Sequence, residues 1–110
     1  MQPKPPISYR QFTQRHPRIA EGWETIAAAG REGPLDEKTI RLVKLGLAIG
    51  AGREGAVRAN IRKALVAGKS LDEIDQVMAL TAGTLGLSET VAVYTWIRKA
   101  LTKEKKRTER

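Results

Sequence analysis

One stretch of the sequence could do chemistry, GREGAVRANIRKAL at residues 52–65. The pattern predicts a helix from Arg53 to about Ala67, and at 100° per residue Arg53 and Asn60 fall on one face of it. Asn60 interrupts an aliphatic stripe. A buried amide without partners costs about 1–3 kcal/mol, so we expect it to bond either to the protein or to a polar substrate. Glu54 either favours the helix start through the helix dipole or acts as a general acid/base.

Other common site chemistries have no residues to support them. The chain contains no cysteine, which excludes disulfides, thiolate metal ligands and thiol catalysis. Its one histidine, His16, has no second histidine or carboxylate at metal-ligand spacing, so no metal site is predicted. The glycines of GLAIGAG are not followed by Gly-Lys-Ser/Thr, which argues against a phosphate loop. We therefore expect no cofactor.

The elements that would position this stretch are all predicted helices. Ser8 can cap a first helix that runs toward His16, and Pro17 suits the first turn of a second helix, in which Trp23 is the large apolar anchor. After the fourth helix, Ser70 and Glu73 fit a capping box, and Ser88 is expected to cap the last helix. No alternation typical of strands appears. The fold class is therefore all-α, a bundle of about five or six helices.

The third predicted helix, which begins at Asp36, is apolar on nearly every side. Only Glu37, Arg41 and Lys44 form a narrow polar strip, and an element of this kind must be covered nearly all round. A chain of 110 residues can hardly do this alone. The pattern thus predicts a homo-oligomer or a tightly wrapped central helix.

The chain divides into an extended lead-in at 1–8, one domain at 9–102 and a basic tail at 103–110. The net charge of +8 lies mostly at the two ends, because residues 20–102 hold eleven bases and ten acids. The ends are therefore interpreted first as solubilising segments, and nucleic acid is an unlikely partner, although a module that binds nucleic acid or an acidic partner through the basic termini stays an alternative. No apolar run would span a membrane, and a cytoplasmic protein is expected.

The segment LDEKTIRLVKLGLAIGAGREGAVRANIRKALVAGKSLDEI, residues 35–74, resembles the core of the carboxymuconolactone decarboxylase and alkyl hydroperoxidase D (AhpD) superfamily. The shared parts are a leucine-acid-x-lysine-threonine helix start, a long apolar helix, a glycine turn, a helix ending in alanine-glycine and a serine-led helix. The similarity extends from about Phe12 to Ile97. It implies an AhpD-like helical bundle, and such proteins are commonly trimers or hexamers with sites near subunit contacts.

The resemblance also implies where a site would lie. In the hydroperoxidase branch two cysteines would stand at Arg53 and Ala56, a histidine at Asn60 and a relay glutamate near Arg41, so the peroxidase machinery is missing. Glu54-Gly55-Ala56-Val57 matches a second, decarboxylase-like branch. That likeness implies Glu54 and Asn60 as the candidate catalytic residues of a pocket for a small organic acid or lactone, with Arg53 or Arg58 as the carboxylate-binding residue. A non-catalytic oligomeric scaffold remains an alternative.

Overall fold

The structure is a computed structural model that describes the backbone of residues 6–108 and the side chains of residues 6–102. Within this range the chain forms six α-helices and no strand. They are α1 (Ile7–Arg15), α2 (Pro17–Gly30), α3 (Glu37–Ala51), α4 (Glu54–Val66), α5 (Leu71–Leu85) and α6 (Leu87–Thr108). The prediction of an all-α bundle is confirmed. The division into lead-in, domain and tail stays a prediction, since Lys4 and the tail side chains lie outside the described residues.

Helices α3 to α6 form the folded core. α3 packs on α4 and α5, and α6 completes the bundle by packing on the same two helices. The interior is aliphatic, with the large, fully buried side chains Leu45, Ile49, Val57, Ile61 and Ile74. Burying each of these contributes about 1.5–3 kcal/mol to folding, so this cluster is the main source of stability in the chain.

Local signals in the sequence set the helix boundaries. Asp36 caps α3 by accepting a 2.7 Å hydrogen bond from the Thr39 amide, and Gly52 ends it at a φ of 67°, which favours glycine. Ser70 and Glu73 form the predicted capping box at α5. The Ser70 amide and the Lys69 ammonium hold the pKa of Glu73 below its usual value. The predicted cap at Ser88 is wrong, because α6 already begins at Leu87 and Ser88 lies in its first turn.

Helices α1 and α2 form a hairpin, here called the arm, that stands apart from the core. The two helices pack on each other, and neither makes an extensive contact with α3 to α6. The radius of gyration of 14.9 Å exceeds the roughly 13 Å of a compact chain of this length. Trp23, predicted as an apolar anchor, is 56% exposed. The helix was predicted correctly, but within the described residues Trp23 remains largely uncovered.

The polar strip predicted on α3 is also only partly correct. Arg41 is 6% exposed, because it precedes the buried Leu45 by one helical turn and so lies on the core-facing side. Its Nε donates to Glu37 Oε1 at 3.0 Å, which gives the buried guanidinium an anionic partner. On the other side of α3, Val43 and Leu47 are exposed in the single chain. Part of this apolar helix therefore remains uncovered.

The core cluster predicts a contrast between two leucines. Replacing Leu45, which is fully buried, by alanine should lower the free energy of unfolding by about 2–5 kcal/mol through lost transfer energy and a cavity. The same change at the exposed Leu87 should stay within about 0.5 kcal/mol. Urea unfolding followed by circular dichroism measures both. Equal losses in the two variants would contradict the assignment of the core to α3–α6.

Candidate functional site

The four residues singled out from the sequence lie on or beside α4. This helix buries Val57, Ile61 and Ala64 against the rest of the bundle. Glu54 is its first residue and Arg53 is its N-cap. The helix therefore fixes these positions through its packing, and the polar candidates project from the two flanks of the buried stripe.

Glu54 and Arg58 form one flank of the site. Arg58 Nη2 lies 3.5 Å from Glu54 Oε2, one helical turn away. The pair is partly shielded, with about a third of the Arg58 side chain exposed. Arg58 Nε is buried and has no hydrogen-bond partner in the described part of the chain. Because buried donors are nearly always satisfied in folded proteins, an unsatisfied guanidinium nitrogen indicates a place for an acceptor.

Asn60 and Arg53 form the opposite flank. The Asn60 side-chain amide donates to the Ala56 carbonyl of its own helix at 2.8 Å. This bond satisfies one donor of the half-buried amide without help from another element. Arg53 is exposed, and its side chain makes no capping hydrogen bond. The two residues share a face, as their spacing of seven predicts.

The two flanks do not meet within one chain. On a regular helix, Asn60 lies about 160° around the axis from Arg58 and about 120° from Glu54. None of the four candidates lines the α3–α5 cavity or the α5–α6 cavity described below. The structure thus brings Glu54 to Arg58 and leaves Asn60 with Arg53 on another side. A pocket lined by all four candidate residues would therefore need a surface outside this single chain.

The two cavities lie elsewhere in the bundle. The larger is an open groove of about 530 Å³ between α3 and α5. Its walls are mostly apolar, and Glu73 is its one acidic residue. The smaller, about 260 Å³ between α5 and α6, places Asp72, Asp75, Tyr94 and Arg98 around an aliphatic floor. Neither was predicted from the sequence, because each depends on how two helices pack against each other.

Positive charge is concentrated where α3 meets the end of α4. Partial burial lowers the pKa of Lys63 most, and the nearby cations Arg41, Lys44, Arg31 and Arg62 lower it further. The resemblance implies a position near Arg41 for the relay glutamate of hydroperoxidases. Arg41 itself is a buried cation, and the chain has no thiol.

Comparison with known protein families shows which family the chain belongs to. The family model described as Carboxymuconolactone decarboxylase family matches residues 17–99, three quarters of the chain. The chain belongs to the carboxymuconolactone decarboxylase family. No curated protein and no solved structure gave a significant match. The predicted membership is confirmed, and the match covers α2 through most of α6, including every candidate site residue.

This carboxymuconolactone decarboxylase family protein has no cysteine anywhere in its 110 residues. None of its described helices is both long and apolar enough to cross a membrane. Sequence reasoning proposed Arg58 only as one of two alternative carboxylate partners. The signal that distinguishes it, the unpartnered Nε, depends on burial and could not be read from the sequence.

The pKa of Lys63 predicts a pH-dependent effect on stability. Because the folded state disfavours the charged form, Lys63→Gln should raise the free energy of unfolding at pH 7. The advantage should fade as pH rises through the folded pKa toward 10.5, the ordinary lysine value, where wild-type Lys63 is neutral in both states. Urea unfolding at several pH values measures it.

The matched control for this effect is Lys99→Gln on the exposed side of α6, which should change stability by less than about 0.5 kcal/mol. A lower stability of Lys63→Gln at pH 7 would contradict the prediction. It would show that attraction between Lys63 and the α4 carboxyl end outweighs the surrounding positive charge.

Proposed function

We propose that this protein binds a small organic acid or lactone through Arg58 and Glu54, in a pocket completed by a neighbouring copy of the chain. The proposal rests on the buried, unpartnered Nε of Arg58. A carboxylate can accept from Nε and one Nη of a guanidinium together, in the paired geometry that makes such contacts strong and specific. An organic acid supplies this group.

The pocket belongs between subunits because the candidate residues lie on two flanks of one helix. A ligand held by Arg58 cannot also reach Asn60 of the same α4. If a second copy brings its Arg53 and Asn60 flank against Glu54 and Arg58, all four residues can line one pocket. Exposed apolar surface on α3 and on the arm supports assembly. The expected assembly is a homo-oligomer, a trimer or hexamer.

Any turnover would be of the decarboxylase or lyase type. Glu54, beside the guanidinium, is the group in this pocket that can accept or donate a proton, while Asn60 can orient a substrate but does not titrate near neutral pH. Reduction of peroxides through a thiolate is excluded, since the chain has no cysteine. A protein that binds the acid without converting it would use the same contacts. An assay for product formation distinguishes it from an enzyme.

The experiment is a thermal-shift screen against lactones, aromatic acids and dicarboxylates, followed by calorimetric titration of the hits. Binding to the folded state raises the melting temperature by mass action. Arg58→Gln should weaken the affinity for a hit acid about tenfold or more, because a charge-assisted hydrogen bond contributes about 1.5–3 kcal/mol. Glu54→Gln and Asn60→Ala test the other contacts.

Arg98→Gln provides the matched control. Arg98 is an exposed arginine on α6, with its guanidinium 5.9 Å from the Tyr94 ring centroid, and it lines the cavity between α5 and α6. This variant should bind as the wild type does. If Arg58→Gln also binds every hit with unchanged affinity, the proposed site is wrong and the acids bind elsewhere. A screen without hits would favour an oligomeric scaffold or a partner-binding module.

A further inference from the structure

The cavity between α5 and α6 combines an apolar floor with charged walls. Ile74 and Met78 of α5 and Ile97 of α6 line it, and all three side chains are buried. Its volume of about 260 Å³ lies below the roughly 300–1,000 Å³ of pockets for drug-sized ligands. The cavity is therefore suited to a molecule of the size of a single amino acid.

Two carboxylates line the α5 wall of this cavity. Asp72 and Asp75 are three residues apart, so they lie on the same side of α5, and both are exposed. Asp72 lies in the first turn, where the helix dipole alone favours an acid. This stabilisation falls off within the first turn, and Asp75 comes after it. The helix dipole therefore does not account for Asp75.

One guanidinium lines the α6 wall. Arg98 is exposed, and its Cζ lies 5.9 Å from the centroid of the Tyr94 ring, one turn earlier on the same helix. The face of an aromatic ring attracts a cation at this distance. A guanidinium held over a ring still presents N–H donors at its edge. Tyr94 thus positions Arg98 beside the cavity through a contact that does not use these donors.

The opposite charges on the two walls do not pair with each other. Among the side chains of residues 6–102, three ion pairs are formed, and each joins residues four apart on α3, on α4 or at the start of α5. Asp72, Asp75 and Arg98 belong to none of them. Two carboxylates and a guanidinium therefore face one small space, and no described side chain neutralises them within it.

From this arrangement we infer that the α5–α6 cavity binds an α-amino acid with an apolar side chain. The ammonium group of this ligand has three donors and can be shared between Asp72 and Asp75. Its carboxylate accepts the paired N–H donors of Arg98, the geometry that makes such contacts strong. Its side chain lies on the floor formed by Ile74 and Met78.

The charges of the two walls select this ligand over simpler ones. A monocarboxylate meets Arg98 but is repelled by the two aspartates on the facing wall. An amine without a carboxylate meets the aspartates and places a second cation beside the guanidinium. A molecule with both charges close together satisfies both walls of a small cavity. The inference goes beyond the proposed function, because it concerns other residues and a zwitterionic ligand.

Calorimetric titration with L-leucine, L-methionine and L-phenylalanine tests the inference on the wild-type protein. The tightest binder is compared with the acid that lacks its ammonium and the amine that lacks its carboxylate, which for leucine are 4-methylpentanoate and 3-methylbutylamine. We expect each analogue to bind about tenfold more weakly or worse, because it loses a charge-assisted contact. Equal affinity for either analogue would overturn the inference. So would the absence of binding by all three amino acids at millimolar concentration.

Substitutions on the two walls assign each contact. Arg98→Gln should remove the preference for the amino acid over the amine, whereas Asp75→Asn should reduce its preference over the acid. Both side chains are exposed, so both variants should fold as the wild type does, which circular dichroism checks. If either variant weakens the amino acid and both analogues by the same factor, its side chain does not contact the expected charge and the inference is wrong.

Lys99→Gln and Glu89→Gln are the matched controls on α6. Each removes an exposed charge of the same sign as that of Arg98 or Asp75, and neither residue lines the cavity. Both variants should bind the amino acid with wild-type affinity. Losses as large as those of Arg98→Gln and Asp75→Asn would mean that net charge alone governs binding, and would overturn the assignment of the ligand to this cavity.

Discussion

The structure depends on one physical constraint, which is that the chain has more apolar surface than its helices can cover. Four helices bury Leu45, Ile49, Ile61 and Ile74 in a close-packed interior, and this is enough to define the bundle. The same chain exposes Trp23 and the far side of α3. α3 and α2 are therefore apolar beyond what the described bundle covers, and the proposed assembly would cover this remaining surface.

α4 connects this core to the candidate chemistry. Its buried stripe fixes the helix, so the guanidinium of Arg58 is held at an angle set by packing and not by a loop. The cost is that Arg58 Nε is shielded from water without a partner. Sites for charged ligands are often built in this way, because a donor that is already desolvated and oriented loses little on binding. With no thiol in the chain, the candidate site on α4 presents acid, amide and guanidinium groups.

Much of the fold could be predicted from the sequence, because caps and helical periodicity are local. Asp36 and the Ser70 capping box gave the starts of two helices correctly. Predictions that depended on tertiary packing were less successful: Trp23, predicted as an apolar anchor, is largely exposed, and Arg41, assigned to the polar strip of α3, is buried. For the site, the sequence indicated α4 and its polar residues. It could not show that Arg58 and Asn60 diverge, that Arg58 Nε lacks a partner, or that a groove opens between α3 and α5.

Sedimentation equilibrium of the wild-type chain across a range of concentrations tests the central claim most directly, which is that one chain cannot cover its own apolar surface. The chain mass is 12.1 kDa. The account predicts a mass of two or more times this value at micromolar concentration, with dissociation into single chains only on strong dilution. A mass of 12.1 kDa at every concentration would contradict it, and would require the arm and α3 to remain exposed in a stable monomer.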